Sequence, residues 1–301
     1  MNLYIQQLIH NLPPDINYGE VNLVLDGGAF RGSFMLGALY YIKQLQCLKR
    51  IQINKMSGCS IGSVLCLLFK LDNLDYASQI YTTLRNYFKQ HGHLYIISNV
   101  LDDLLLSIPK HFYKTCNETL FISYHNIKKQ KYIVKHKFKN NHDLINAIKK
   151  SCYIPFLCGP KMLFKTQFVD GLKPYFFNDH KTLFLNLFSD YKTIFSMINI
   201  QNELNNSERI IKGALDIHTF FKTNKPTYMC YFIDNTTIYH RFFFQTRIVI
   251  IYFLTHFIFF IYYCSKFIKR IKYYQYIRIF ISIYKQFIKK ITYTYLKLFM
   301  V

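Results

Sequence analysis

Residues 21–33 read VNLVLDGGAFRGS and residues 50–63 read RIQINKMSGCSIGS. Val21 to Leu25 is an apolar run of strand length that enters a glycine pair directly, as a buried parallel strand does. From Ser33 to Leu48 apolar residues recur at helical spacing. Arg50 to Gly58 then alternates, and Ile61 to Leu71 is again helical in pattern. Strand, glycine-rich loop and helix thus occur twice in fifty residues. Two such units in succession predict a mainly parallel sheet covered by helices, an α/β fold of three α/β/α layers.

The chain has 301 residues, enough for one domain with an appendage. A hydrophobic content of 51% with 18% aromatics excludes a disordered protein. Lys and Arg number 38 against 16 Asp and Glu, a formal charge of +22, which calls for an anionic partner. The excess is unevenly spread. No Asp or Glu follows Asp234, whereas Arg241, Arg247, Lys266, Lys269, Arg270, Lys272, Arg278, Lys285, Lys289, Lys290 and Lys297 do. That tail is also intensely apolar, so it fits an anionic membrane surface and not nucleic acid. The organisation read from the sequence is a leader over 1–20, a catalytic domain over 21–235 and a helical tail over 241–301. The leader lacks a basic start and a sustained apolar run, so no signal peptide is expected. Eight cysteines without C-x-x-C or zinc spacing are read as reduced thiols, with no metal or other cofactor.

Between the glycine turns and the tail, residues 72–118 read as mainly helical. A hairpin follows, TLFISYHN with KYIVKHKF, and then a short helix over His142–Lys150. KMLFKTQFVDG reads as a strand that delivers Asp170 at its end. Residues 183–188 and 226–233 are further strand candidates, and the asparagine-rich stretch 199–208 reads as an exposed loop.

Gly58-Cys59-Ser60-Ile61-Gly62 is G-x-S-x-G, placed between a strand and a helix as a nucleophile elbow requires. The alternative is Ser60 as an ordinary helix cap. The upstream Gly27-Gly28-Ala29-Phe30-Arg31-Gly32 is close to a dinucleotide-binding loop, but no acidic residue follows the second strand where a ribose would need one. Backbone N–H groups beside a serine instead suit an oxyanion hole. For the base, two arrangements stay open. One is a Ser–Asp–His set using Asp170 with His218 or His240; the other is a Ser60–Asp170 dyad in which burial raises the carboxyl pKa.

DGGAFRG, GCSIG, AIKKSCYIPF and FVDG, in that order, resemble the patatin-like phospholipase family over roughly Val21 to Asp179. The resemblance implies a Ser60–Asp170 dyad that cleaves acyl esters of phospholipids or related lipids. It also implies an oxyanion loop at Gly27, Gly28, Ala29 and Arg31, with Gly58 and Gly62 as elbow glycines. The segment Ser151–Pro155 matches the block that shapes the pocket. Two residues depart from the pattern: Ala29 stands at a usual glycine, and Leu172 stands where glycine or alanine normally follows Asp-Gly. These departures keep a silent relative, a membrane-binding or scaffold protein, as the alternative reading.

Ile248 to Cys264 is an unbroken run of seventeen residues, and Phe267-Ile268 extend it toward the length needed for ~30 Å of hydrocarbon. Over 271–290, Lys272, Gln275, Arg278, Ser282, Lys285, Gln286, Lys289 and Lys290 share one helical side opposite Tyr, Phe and Ile. The expectation is a membrane-associated protein whose catalytic domain faces the cytosol. The segment 248–268 either spans the bilayer or lies in its interface, since spanning would carry a basic helix to the outer side.

Overall fold

A computed structural model of the chain describes residues 2–13, 17–187, 199–200, 203–233 and 246. Its centre is β1 (Glu20–Leu25), whose residues from Val21 onward are buried on both faces. On one side β1 pairs in parallel with β2 (Gln52–Gly58). On the other it pairs in parallel with β6 (Thr182–Leu185). β2 in turn pairs in parallel with β3 (Leu120–Asn126), which folds back as a hairpin onto β4 (Lys131–Lys135). β7 (Cys230–Phe232) closes the far side antiparallel to β6, giving the order β4-β3-β2-β1-β6-β7. The core of the sheet is parallel and its flanks are antiparallel, as the two strand–loop–helix units predict.

The seventh strand, β5 (Phe168–Asp170), stands off that path and pairs antiparallel with β3. Because β4 occupies one edge of β3 through Ile122–Asn126, β2 and β5 must share the other. β2 rises along that edge and ends with Gly58 opposite Ile122. β5 descends it and ends with Asp170 opposite Tyr124. Two residues of one strand span about 7 Å, so the carboxyl ends of β2 and β5 meet head to head on β3.

The helices are α1 (Asn2–His10), α2 (Gly32–Cys47), α3 (Ile61–Lys70), α4 (Asp75–His91), α5 (Ile97–Ser107), the single turn α6 (Tyr113–Cys116), α7 (Asn141–Ser151) and α8 (Ser207–Thr223). Of these, α7 opens with a real cap, the Asn140 side chain accepting from the Asp143 N–H. The leader does not hang free of the core: α1 buries Ile5 and Ile9, and Leu12 follows them inward. The stretch 199–208 is not simply an exposed loop. Ile200 and Asn206 are buried, the Asn206 amide reaches Ser33 and Ser78, and α8 begins at Ser207. Glu203 accepts from the Tyr81 hydroxyl and from Arg209, which pins the stretch against α4 and α8. Polar composition suggested a loop here, but these polar groups are satisfied by partners remote in sequence. Strand β6 begins one residue before the 183–188 candidate and ends at Leu185, and β7 takes three residues of the 226–233 candidate. His240 and all the tail features assigned to 248–268 and 271–290 lie outside the described residues. Among the described residues, no helix is long and apolar enough to cross a membrane.

α2 and α8 cross with their backbones touching. A Cβ at Gly37 would lie 1.9 Å from the Ile210 carbonyl oxygen, and one at Gly213 would lie 1.9 Å from that of Phe34. The obstacle is rigid helix backbone, so the two helices would have to separate. Gly37→Ala and Gly213→Ala are therefore each expected to destabilise the protein by ~1–3 kcal/mol, the usual range for overpacking. Urea unfolding midpoints will measure this, and an unchanged midpoint would disprove the contact.

Candidate active site

The elbow is built by two glycines that let backbone pass through backbone space. A Cβ on Gly58 would lie 2.6 Å from the backbone of Gly62, and one on Gly62 would lie 2.5 Å from the Asp26 carbonyl oxygen. β2, the first turn of α3 and the end of β1 are thus in contact, and Ser60 projects from the tight turn between them. Its φ of 51° and ψ of −130° lie outside the regions open to ordinary L-residues. Such strain costs roughly 1–3 kcal/mol and must be held by its surroundings. Three bonds within the turn hold it. Gly62 N–H donates to Cys59 O at 2.9 Å, Ser63 N–H to Ser60 O at 2.9 Å, and the Ser63 hydroxyl to Ser60 O at 2.6 Å. The Ser60 side chain makes no capping bond to α3, so it is not an ordinary helix cap.

Beside it lies the Asp170 carboxyl, near enough for the Ser60 hydroxyl to lower that carboxyl's pKa. Asp170 is buried, its N–H donates to Tyr153 O at 2.9 Å, and Leu172 N–H donates to its Oδ1 at 3.0 Å. Burial pushes its pKa up to about 6, and the Asp26 carboxylate adds to the rise. The bonds from Leu172, Ser60 and Gly171 pull the other way. Gly171 is needed for this placement, since a Cβ there would lie 2.3 Å from Ser123 O on β3. The loop beyond it is stitched to the sheet: the Ser123 hydroxyl donates to Lys173 O at 2.6 Å, and Tyr175 N–H donates to Ser57 Oγ at 2.8 Å.

The glycine-rich loop passes beside the serine, where a Cβ on Gly27 would lie 3.2 Å from the Cβ of Ser60. The loop's N–H groups divide into two sets. Gly27 N–H donates to the Asp26 carboxylate at 2.9 Å and Arg31 N–H to Gly28 O at 2.9 Å, so these two build the loop. The N–H groups of Gly28 and Ala29 have no hydrogen-bond partner among the described residues. Arg31 is buried with its guanidinium stacked on Phe34 at 5.0 Å. An apolar cavity of about 60 Å³ adjoins Ser60, walled by residues that include Leu36, Ile61, Val64, Leu84 and Leu157.

The two departures from the family pattern share one physical feature. Ala29 has φ 46° and Leu172 has φ 61°, both in the left-handed region that glycine enters freely. The Leu172 N–H still reaches Asp170 despite the side chain. His218 is not brought to the serine. Its Nδ1 and the Tyr41 hydroxyl share a 3.0 Å hydrogen bond, and burial holds its pKa below the usual histidine value. Tyr41 lies nine residues into α2, about 14 Å along the helix from the loop.

Sequence reasoning placed Ser151 only in the block that shapes the pocket and gave Asp26 no role of its own. The hydroxyl of Ser151, fully buried at the end of α7, accepts the Ser60 N–H at 2.9 Å and anchors the strained residue from outside its own turn. The Asp26 carboxylate accepts from Gly27 and, at 3.4 Å, from Leu187 N–H, joining the loop to the chain beyond β6. A serine and an aspartate at element ends give no periodic signal; only their partners reveal them.

A carboxyl whose pKa is raised by folding stabilises the fold when protonated. For Asp170 that contribution is complete below the unfolded value of 3.8 and is lost as pH rises through about 6. At neutral pH the buried charge therefore costs on the order of 3 kcal/mol. Asp170→Asn should raise the melting temperature above pH 6 and converge with the parent near pH 4. A variant less stable than the parent at every pH would refute this assignment of charge.

Residues 23–172 match the patatin-like phospholipase family model. The chain is also 26% identical over 178 residues to the protein called "Probable lipid hydrolase 463L" of Invertebrate iridescent virus 6. The match takes in 50% of this chain and 58% of that protein, so the chain spans somewhat more than half the length of this curated relative.

Proposed function

The chain belongs to the patatin-like phospholipase family, and from that premise we propose that it is a membrane-attached lipid acyl hydrolase. Its nucleophile is Ser60 and its base is Asp170. The observation that supports this reading is the meeting of the β2 and β5 ends on β3, which sets Ser60, on a strained turn lining an apolar cavity, beside a buried carboxyl.

Asp170 takes the hydroxyl proton as Ser60 Oγ attacks the ester carbonyl carbon. The negative charge moves to the carbonyl oxygen, where the N–H groups of Gly28 and Ala29 face it; one such donor is worth ~3–4 kcal/mol in a tetrahedral transition state. The intermediate collapses, and the leaving alcohol takes the proton from Asp170. Water then attacks the acyl-enzyme and gives a proton to Asp170, which returns it to Ser60 as the fatty acid departs. An acceptor alcohol in place of water would make the same site a transferase. The apolar cavity suits an acyl chain, and Arg31 orders the loop. The catalytic domain faces the cytosol, and the tail over 241–301 holds it at an anionic membrane through its apolar run and basic face.

A second reading, a membrane-binding relative without turnover, draws on Ala29 and Leu172, whose left-handed backbone is strained where the family pattern has small residues. Labelling by a serine-reactive fluorophosphonate separates the two. The parent should label, whereas Ser60→Ala should not, with hydrolysis lower by roughly a thousandfold or more. Equal labelling of both would sink the hydrolase reading. The base must be ionised to accept a proton, so kcat/KM should climb as pH passes about 6 and then level off. A profile flat through that range would remove Asp170 from the role.

Removing residues 241–301 should leave the chain in the supernatant when membranes are sedimented. Continued sedimentation would show that the tail is not the anchor.

A further inference from the structure

The loop after α7 contains a residue that folding alone does not explain. Ile154-Pro155-Phe156-Leu157 forms a turn closed by the Leu157 N–H to Ile154 O at 3.3 Å, with Cys158 N–H reaching the same oxygen at 2.9 Å. Proline in the second position presets such a turn, and a left-handed third position is where glycine or asparagine belongs. Here the third position is Phe156, at φ 63°, with 46% of its surface exposed. The backbone is strained and the ring is left in water, so both terms oppose folding. Other exposed residues at positive φ, such as Lys49, Asp72, His111, Glu118, Gln130 and Asn224, are polar.

Phe156 lies in the turn between residues that line the cavity. Ile154, Leu157 and Cys158 line it, together with Leu94 from the loop after α4 and Ile97 at the start of α5. The two loops are tied by the Leu94 N–H to Leu157 O at 2.7 Å. On that second loop Tyr95 is half-buried and stacked on His93 at 3.7 Å. Over 144–169 and 76–101 every charged side chain is basic, with Lys161 and Lys165 exposed, and the acidic residues nearby, Asp102 and Glu203, are paired with Lys149 and Arg209. An exposed aromatic ring with tyrosine and lysine around it suits a lipid–water interface.

We propose that the rim formed by Phe156 and Tyr95 is the face through which the catalytic domain sits on an anionic bilayer, with the Phe156 ring entering the acyl region. This deepens the lipid-hydrolase reading, since a lipid chain would then leave the bilayer beside the cavity it is to enter. The strain at Phe156 serves to aim the ring outward, where a relaxed turn with glycine would present nothing.

The chain contains no tryptophan, so a single one reports its own surroundings. Phe156→Trp, in full-length chain carrying Ser60→Ala so that the lipid stays intact, is mixed with phosphatidylcholine–phosphatidylglycerol vesicles bearing brominated acyl chains. Tyr95→Trp is a second reporter on the same rim should the first variant fold poorly. Leu48→Trp is the control: Leu48 is 54% exposed at the far end of α2, about 24 Å along that helix from Gly32. The expected result is a blue-shifted, strongly quenched emission at 156 or 95 and an unchanged emission at 48. No quenching on the rim while the chain sediments with the vesicles would overturn the proposal, as would equal quenching at 48. Fluorescence needs no turnover, so loss of the hydrolase reading would show separately, as a parent chain that neither labels nor hydrolyses.

Discussion

One edge of β3 is shared by two strands that run toward each other, and the rest of the site depends on that arrangement. β2 ends opposite Ile122 and β5 ends opposite Tyr124, so neither chain can continue in the sheet. Each must turn out of the plane within two residues of the same point. The residues at those exits are Ser60 and Asp170, and their meeting follows from strand register. The loop from β1 reaches the same point because β1 pairs with β2 up to Leu25 opposite Gly58. Three chain segments remote in sequence are thereby delivered to one place by hydrogen-bonded ladders, which are among the most rigid elements a fold offers.

The cost of this convergence is concentrated there as well. Ser60, Ala29 and Leu172 all hold positive φ, and Asp170 keeps a carboxylate out of water. Each is unfavourable alone, and each is held by neighbours. The Ser151 hydroxyl and the Ser63 N–H grip Ser60, the Asp26 carboxylate grips the loop at Gly27, and the loop after Asp170 is fastened to Ser123 and Ser57. The surrounding core supplies the margin. Helices α2 and α8 pack backbone to backbone at Gly37 and Gly213, and α1 adds Ile5 and Ile9 to the same interior. A site built this way trades stability for a preset geometry, which suits chemistry in which a base and an oxyanion cradle must be in place beforehand.

Much of this was legible in the residues. The apolar run before Asp26, the alternation before Gly58 and the helical spacing after each locate β1, β2, α2 and α3, because burial on one or two faces leaves a period in the sequence. The hairpin and the short helix α7 were legible for the same reason. The stretch 199–208 misled because polar residues that bond to distant partners look like polar residues facing water. Helix α8 went unrecognised beside it, and α1 read as a leader because nine residues ahead of a proline pair say little about what they pack against. The bond from Ser60 N–H to Ser151 and the tie between His218 and Tyr41 were invisible in principle, since a hydrogen bond between residues so far apart imposes no spacing on the chain.

By itself the sequence determined where the backbone could turn sharply, since glycine at 58, 62 and 171 permits backbone approaches that a Cβ would block. It also determined which side chains those turns carry, and that a basic, apolar tail follows. Only the tertiary structure decided that the turns at 60 and 170 meet on β3, that the N–H groups of Gly28 and Ala29 have no partner among the described residues, and that His218 packs with Tyr41. The physical reason is that period and composition record how much of each residue is buried, whereas proximity is set by strand register and helix crossing, which many sequences of the same pattern could satisfy differently.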